Sequence, residues 1–129
     1  DFGKNLGIAF QLQDDYLDAF GDPESFGKQI GGDIIENKKT YLYLKALEMG
    51  TLKQAQELEH LFSIKPMDPT DKISTVKELF EETGAVSRTI EEIKSYTDRA
   101  FKTLEKLKLE PGKKDLLRQF GTALMNREV

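Results

Sequence analysis

Glycine and proline cut this sequence into blocks whose apolar residues recur every three or four positions, and nowhere do apolar and polar residues alternate for long enough to suggest a strand. An all-α fold follows, in the form of a helical bundle. Residues 2 to about 20 read as the first helix, and a second runs from about Asp33 to Met49 and stops at Gly50. Thr51 and Gln54 have the spacing of a capping box and open a helix to about Ser63, after which Pro66 and Pro69 enforce a turn. Asp68 before Pro69 reads as an N-cap with proline at the first helical position; Val76, Leu79 and Phe80 then carry a stripe that ends near Gly84. The longest block places Val86, Ile90, Ile93, Ala100, Phe101, Leu104 and Leu107 on one face to about Leu109, where Pro111 and Gly112 break it. Leu116, Leu117, Phe120, Leu124 and Met125 mark a last helix. Phe62, Phe80, Phe101 and Phe120 sit at core spacing and are assigned to the core.

A chain of 129 residues makes one domain at most, able to bury roughly two-thirds of its unfolded surface. With 38% apolar and 33% charged residues it has the composition of a soluble globular domain. The absence of cysteine excludes a disulfide framework, a thiolate zinc site and a cysteine nucleophile, and fits a reducing compartment. The single histidine, His60, is a surface or boundary residue without a partner for metal binding. Nineteen basic against 23 acidic residues, with no basic block, argue against a nucleic-acid partner. No apolar run approaches the ~20 residues needed to span a bilayer, so no transmembrane segment is expected, and the protein is expected to be cytoplasmic. The chain opens on Asp1 with no capping residue before a strongly helical stretch, which reads as a piece of something longer.

The first helix carries Phe10-Gln11-Leu12-Gln13-Asp14-Asp15-Tyr16-Leu17-Asp18. Asp14 and Asp18 lie one turn apart on one face, with Asp15 beside them. Like charges at this spacing cost a helix a few tenths of a kcal/mol, and mid-helix no dipole offsets them. Spacing alone supports two readings equally, a solvated acidic face and a cation site. Leu6, Ala9, Phe10, Leu17 and Phe20 make the rest of the helix apolar nearly all round, which turns the carboxylates towards a cleft or a polar cavity. Carboxylate oxygens without histidine or thiolate suit a hard cation, and Mg²⁺ shares its coordination sphere with substrate phosphates. A magnesium-diphosphate site is the resulting hypothesis; the ligand loop of an EF-hand is absent.

Four of the ten glycines fall in Gly21–Gly32, a length typical of binding loops and flexible segments. Within it stands Gly27-Lys28-Gln29-Ile30-Gly31-Gly32-Asp33, followed by Asn37-Lys38-Lys39-Thr40 in the first turns of the second helix. This is not a Walker A loop, and alone it reads as a surface turn. After three aspartates, its lysines together with Mg²⁺ would neutralise a diphosphate.

These residues resemble the C-terminal part of the trans-isoprenyl diphosphate synthases, the polyprenyl synthetase family. Phe10-Gln11 followed by Asp14-Asp15-x-x-Asp18 is similar to the family's second aspartate-rich motif, and Gly21-Asp22, Gly27-Lys28, Gly31, Asp33 and Lys38 follow at family spacing. Thr83-Gly84-Ala85 and Leu124-Met125-Asn126-Arg127 resemble its tail. The resemblance implies a partial isoprenoid synthase fold, residues 1–129 being the C-terminal part of one all-helical domain whose N-terminal half is missing. It implies Asp14, Asp15 and Asp18 as metal residues, with Asp14 and Asp18 on the metal side and Asp15 as support. Lys28 and Lys38 would contact diphosphate oxygens, and Phe10 and Gln11 would line the site near the allylic group.

The implied reaction is Mg²⁺-dependent: an allylic diphosphate ionises, isopentenyl diphosphate attacks the cation, and a proton is lost to leave a longer prenyl diphosphate. The first aspartate-rich motif and the upstream basic residues that hold isopentenyl diphosphate are absent, so the fragment alone is expected to be inactive. A homo-oligomer is expected, because helices built around a central cavity leave apolar surface where the missing ones belong. Two alternatives remain: a non-catalytic helical subunit or oligomerisation module related to prenyl synthases, and a terpene cyclase, whose own second motif is not what stands at residues 14 to 22.

Overall fold

The computed structural model describes residues 1–21 and 31–125, which form seven helices and no strand. They are α1 (Phe2–Phe20), α2 (Gly32–Ile35), α3 (Tyr41–Met49), α4 (Leu52–Leu61), α5 (Thr70–Glu82), α6 (Ala85–Lys106) and α7 (Pro111–Met125). None is long and apolar enough to cross a membrane.

The bundle is organised on α1 and α6. The Phe2 ring meets Phe101 edge-on at 6.1 Å, while Ala19 at the other end of α1 joins the core that holds Ala85, so the two helices run antiparallel. Ala9, Leu17, Ala100 and Leu104 are fully buried along them. Small side chains at Ala9 and Ala100 let the two backbones approach, and Leu17 and Leu104 supply the apolar area. A second cluster gathers Leu42, Tyr43 and Ala46 of α3, Leu58 of α4, Val76, Leu79 and Phe80 of α5, and Phe62 just after α4. Its aromatic centre is a chain of rings, Tyr43 on Phe62 at 4.3 Å and Phe62 on Phe80 at 6.4 Å.

The capping box forms as its spacing requires: Gln54 N–H donates to Thr51 Oγ1, and the Gln54 side chain accepts from Thr51 N–H. Four local expectations are corrected. Asp1 is itself a capping residue, since its carboxylate accepts from Lys4 N–H at 3.1 Å. Proline occupies the N-cap of α5 instead of its first helical position, and Asp68 accepts from both the amide and the hydroxyl of Thr70. Phe120 is 59% exposed and Phe101 only partly buried, because α7 offers its apolar stripe to solvent along Leu116 and Phe120 and touches the bundle with Gly121 instead. The helix expected from Asp33 to Met49 is two helices, interrupted over residues 36–40. That interruption shapes the site.

Candidate functional site

All three aspartates lie on the middle of α1, and the packing around that helix decides what each can do. Asp18 is buried at 4% exposure and Asp15 at 9%, whereas Asp14 is half-buried. The short helix α2 has Gly31 as its N-cap, which has no side chain to cap its free amides. Asp18 supplies the missing oxygen from α1: its Oδ1 accepts from Asp33 N–H at 2.8 Å, and its carbonyl accepts from Gly31 N–H at 2.6 Å. Gly31 has φ of +87°, in the left-handed region, and a Cβ there would lie 3.0–3.1 Å from the Ile73 side chain. Both conditions require glycine.

This geometry separates two substitutions at Asp18. Asp18→Ala leaves a part-buried amide without its acceptor and is expected to cost about 1–2 kcal/mol. Asp18→Asn keeps an oxygen for Asp33 N–H and is expected to cost under about 1 kcal/mol, with thermal unfolding of the two variants as the measurement. Equal losses would mean that the cap contributes nothing.

Asp15 faces a different set of groups. Gln11 Nε2 donates to its Oδ1 at 3.2 Å, and Lys38 Nζ stands 3.9 Å from the same oxygen and 4.0 Å from Asp33 Oδ1. The Lys38 side chain is 56% exposed, so these are loose ion pairs worth little by themselves. Burial pushes the Asp15 carboxyl above the ordinary carboxylate range; Gln11 and Lys38 oppose the shift, and Asp33 and Asp14 add to it. A carboxyl raised in the fold binds more protons folded than unfolded, so stability is lost as pH rises from its unfolded value through its folded one. Asp15→Asn is therefore expected to raise stability at neutral pH and to lose that advantage below the carboxylate range. Thermal unfolding at pH 7 and near pH 3 checks the sign; a variant less stable at pH 7 would contradict it.

Lys38 reaches Asp15 because the chain reverses just before it. Asn37 has φ of +59°, a left-handed conformation that asparagine tolerates better than most residues. Asn37 N–H closes back on Ile34 O at 3.2 Å and Lys38 N–H on Asp33 O at 2.8 Å. Helical spacing of Ile34, Ile35, Tyr41 and Leu42 hides this turn in the sequence; the asparagine, which tolerates the left-handed region, is the signal for it. Sequence reasoning also missed that Asp33 brings both its backbone amide and its carboxylate to the cluster, and it gave no role to Lys72. Phe10 is half-buried and Gln11 exposed, one turn of α1 before Asp14 and Asp15. Lys28 lies outside the described residues.

Lys38 thus stands between Asp15 and Asp33, while Asp14 acts on Asp15 electrostatically and Asp18 holds the Asp33 amide. Among the described residues no three acidic or histidine groups are arranged closely enough to hold a metal ion by themselves. The donors still suit Mg²⁺, which keeps several waters and takes one or two carboxylates together with substrate phosphates.

Residues 1–82 match the family model for polyprenyl synthetases, and the chain belongs to that family. It is 42% identical to the short chain isoprenyl diphosphate synthase of Methanothermobacter thermautotrophicus over 85 residues, 66% of this chain and 25% of that one. It is 33% identical to the octaprenyl diphosphate synthase of Escherichia coli over 117 residues, 91% of this chain and 36% of the relative. A crystal structure of a geranylgeranyl pyrophosphate synthase superposes with a TM-score of 0.87 at 48% identity, covering all of this chain and 40% of that one. The chain therefore spans between a quarter and two-fifths of the length of these relatives. The all-α bundle expected from the residues and the isoprenoid synthase fold implied by the family resemblance are the fold observed.

Proposed function

We propose that this chain is the C-terminal portion of a prenyltransferase that condenses isopentenyl diphosphate with an allylic diphosphate, and that it carries the second half of the metal and diphosphate site. The observation that supports the reading is Lys38 held between Asp15 and Asp33 at a break between helices, with Asp18 on the Asp33 amide, in a chain whose relatives are named as prenyl diphosphate synthases.

In this reading Asp14 and Asp18 lie on the Mg²⁺ side with Asp15 in support, and bound Mg²⁺ supplies charge neutralisation for the departing diphosphate. Lys38, mobile and half in solvent, moves from its loose pairs with Asp15 and Asp33 onto a diphosphate oxygen; Lys28 acts likewise from the glycine loop. Phe10 and Gln11 line the site near the allylic group, and Gln11 also donates to the Asp15 carboxylate. The allylic carbon–oxygen bond breaks with its electron pair leaving on diphosphate. The double bond of isopentenyl diphosphate then attacks the allylic cation, and a proton is lost to form the new double bond. Isopentenyl diphosphate is held by the part of the protein that this chain lacks, so the chain alone does not turn over. It works in the cytoplasm as part of a homo-oligomer, a state favoured by exposed Leu116 and Phe120.

The test is transfer of labelled isopentenyl diphosphate to an allylic primer in Mg²⁺, by the chain alone and by the chain rejoined to an upstream prenyl synthase half. Turnover is expected only in the rejoined protein, and Lys38→Ala there is expected to lower it about a hundredfold, the scale of removing one preorganised donor to developing negative charge. A folded rejoined protein without turnover would favour a non-catalytic helical subunit.

A further inference from the structure

We propose that Lys72 is a positioning residue for the diphosphate site: from α5 it holds Asn37 in the left-handed turn that presents Lys38 to Asp15 and Asp33. This deepens the reading above and rests on it only for the ligand.

Lys72 is 3% exposed, and a lysine is almost never that buried unless its ammonium is paired. Its Nζ donates to Asn37 Oδ1 and, at 2.7 Å, to Ile64 O, and it stands 5.9 Å from the centre of the Phe62 ring. Asn37 Nδ2 donates to the same Ile64 carbonyl at 3.2 Å. The amide of Asn37 is thus held at both ends, its oxygen by a cation and its nitrogen by a carbonyl. Burial pushes the Lys72 ammonium below its ordinary range, with nearby Lys65 adding to the shift and Glu36 opposing it. A charge kept there against its desolvation has the turn as its chief polar partner.

The consequence for the site is geometric. A non-glycine residue in the left-handed region adopts a conformation that its side chain disfavours, and the next residue's amide closes on Asp33 O only while that conformation holds. Release Asn37, and Lys38 leaves the carboxylates although nothing at Lys38 has changed. Glycine at position 37 adopts the same turn without help, so the dependence on Lys72 should vanish in its presence.

The experiment is amide hydrogen exchange of residues 37 and 38 in the wild-type chain, in Lys72→Met and in Lys72→Met/Asn37→Gly, with the Leu44 and Phe62 amides as references for the surrounding helices. Lys72→Met is expected to speed exchange at residues 37 and 38 tenfold or more relative to those references, and Asn37→Gly is expected to restore protection. Exchange at 37 and 38 that does not outpace the references, or a double variant that is not restored, would overturn the proposal. Alongside, binding of inorganic diphosphate with Mg²⁺ should weaken several-fold in Lys72→Met, recover in the double variant, and be unaffected by Lys72→Met in a Lys38→Ala background. Should the wild-type chain fail to bind diphosphate, the functional reading fails while the exchange result still decides the role of Lys72.

Discussion

Phe80→Ala is expected to destabilise the fold by about 3–5 kcal/mol, the range for deleting a large side chain that its neighbours cannot replace. Phe80 is 2% exposed and lies within the cluster shared by α3, α4 and α5, its ring tilted onto Phe62 at 6.4 Å. Val76 and Leu79 on its own helix are also buried, and Ala46 and Leu58 across from it are fully so, which leaves few mobile groups to collapse into the void. Against a total stability of about 5–15 kcal/mol for a domain this size, the loss is large. A drop in melting temperature of roughly 10–20 °C follows from the usual scaling. Phe120→Ala is the control: that ring is 59% exposed, and its loss should shift the midpoint by no more than a few degrees. Circular dichroism melts of both variants decide the matter, and equal losses would contradict the packing described for α7.

The contrast between those two phenylalanines shows where sequence periodicity stops being informative. Both stand at helical core spacing, but spacing reports which face of a helix is apolar and says nothing of what covers it. Phe80 is covered by three helices packed within the chain; Phe120 is not. The same limit explains the second helix. Ile34, Ile35, Tyr41 and Leu42 keep a helical pattern across residues 36–40, so local sequence argues for continuity. The chain breaks there through partners remote in sequence, Asn37 being held by Lys72 and by the carbonyl of Ile64.

Within the site, the burial of Asp15 and Asp18 was legible because α1 is apolar nearly all round, which left the carboxylates nowhere to go but a cleft. Their division of labour was not. Asp18 holds the start of α2 through a backbone amide, a contact with no side-chain signature in the sequence, and Asp33 enters the cluster only because that cap brings it there. The capping box at Thr51 and Gln54 was readable for the opposite reason, being closed within four residues.

The second large effect concerns ligand binding. Asp14→Asn/Asp18→Asn removes two negative charges from the cluster while keeping the oxygen that caps α2, so it tests the charge of the site with its scaffold in place. Alanine at Asp18 would confuse the two. In the proposed site Mg²⁺ would then be held far more weakly, and diphosphate would meet Asp15 and Asp33 with only lysines to offset them. Affinity is expected to fall by at least a thousandfold, about 4 kcal/mol, which for a half-site means no detectable binding.

Calorimetric titration of the wild-type chain with an allylic diphosphate analogue, with and without Mg²⁺ and beside the Asp14→Asn/Asp18→Asn variant, therefore bears most directly on whether this chain carries half of a prenyltransferase site. The prediction is binding that requires Mg²⁺ and disappears in a variant that still melts cooperatively. Binding indifferent to Mg²⁺ or retained by the variant, or no binding by the wild-type chain at all, would contradict it.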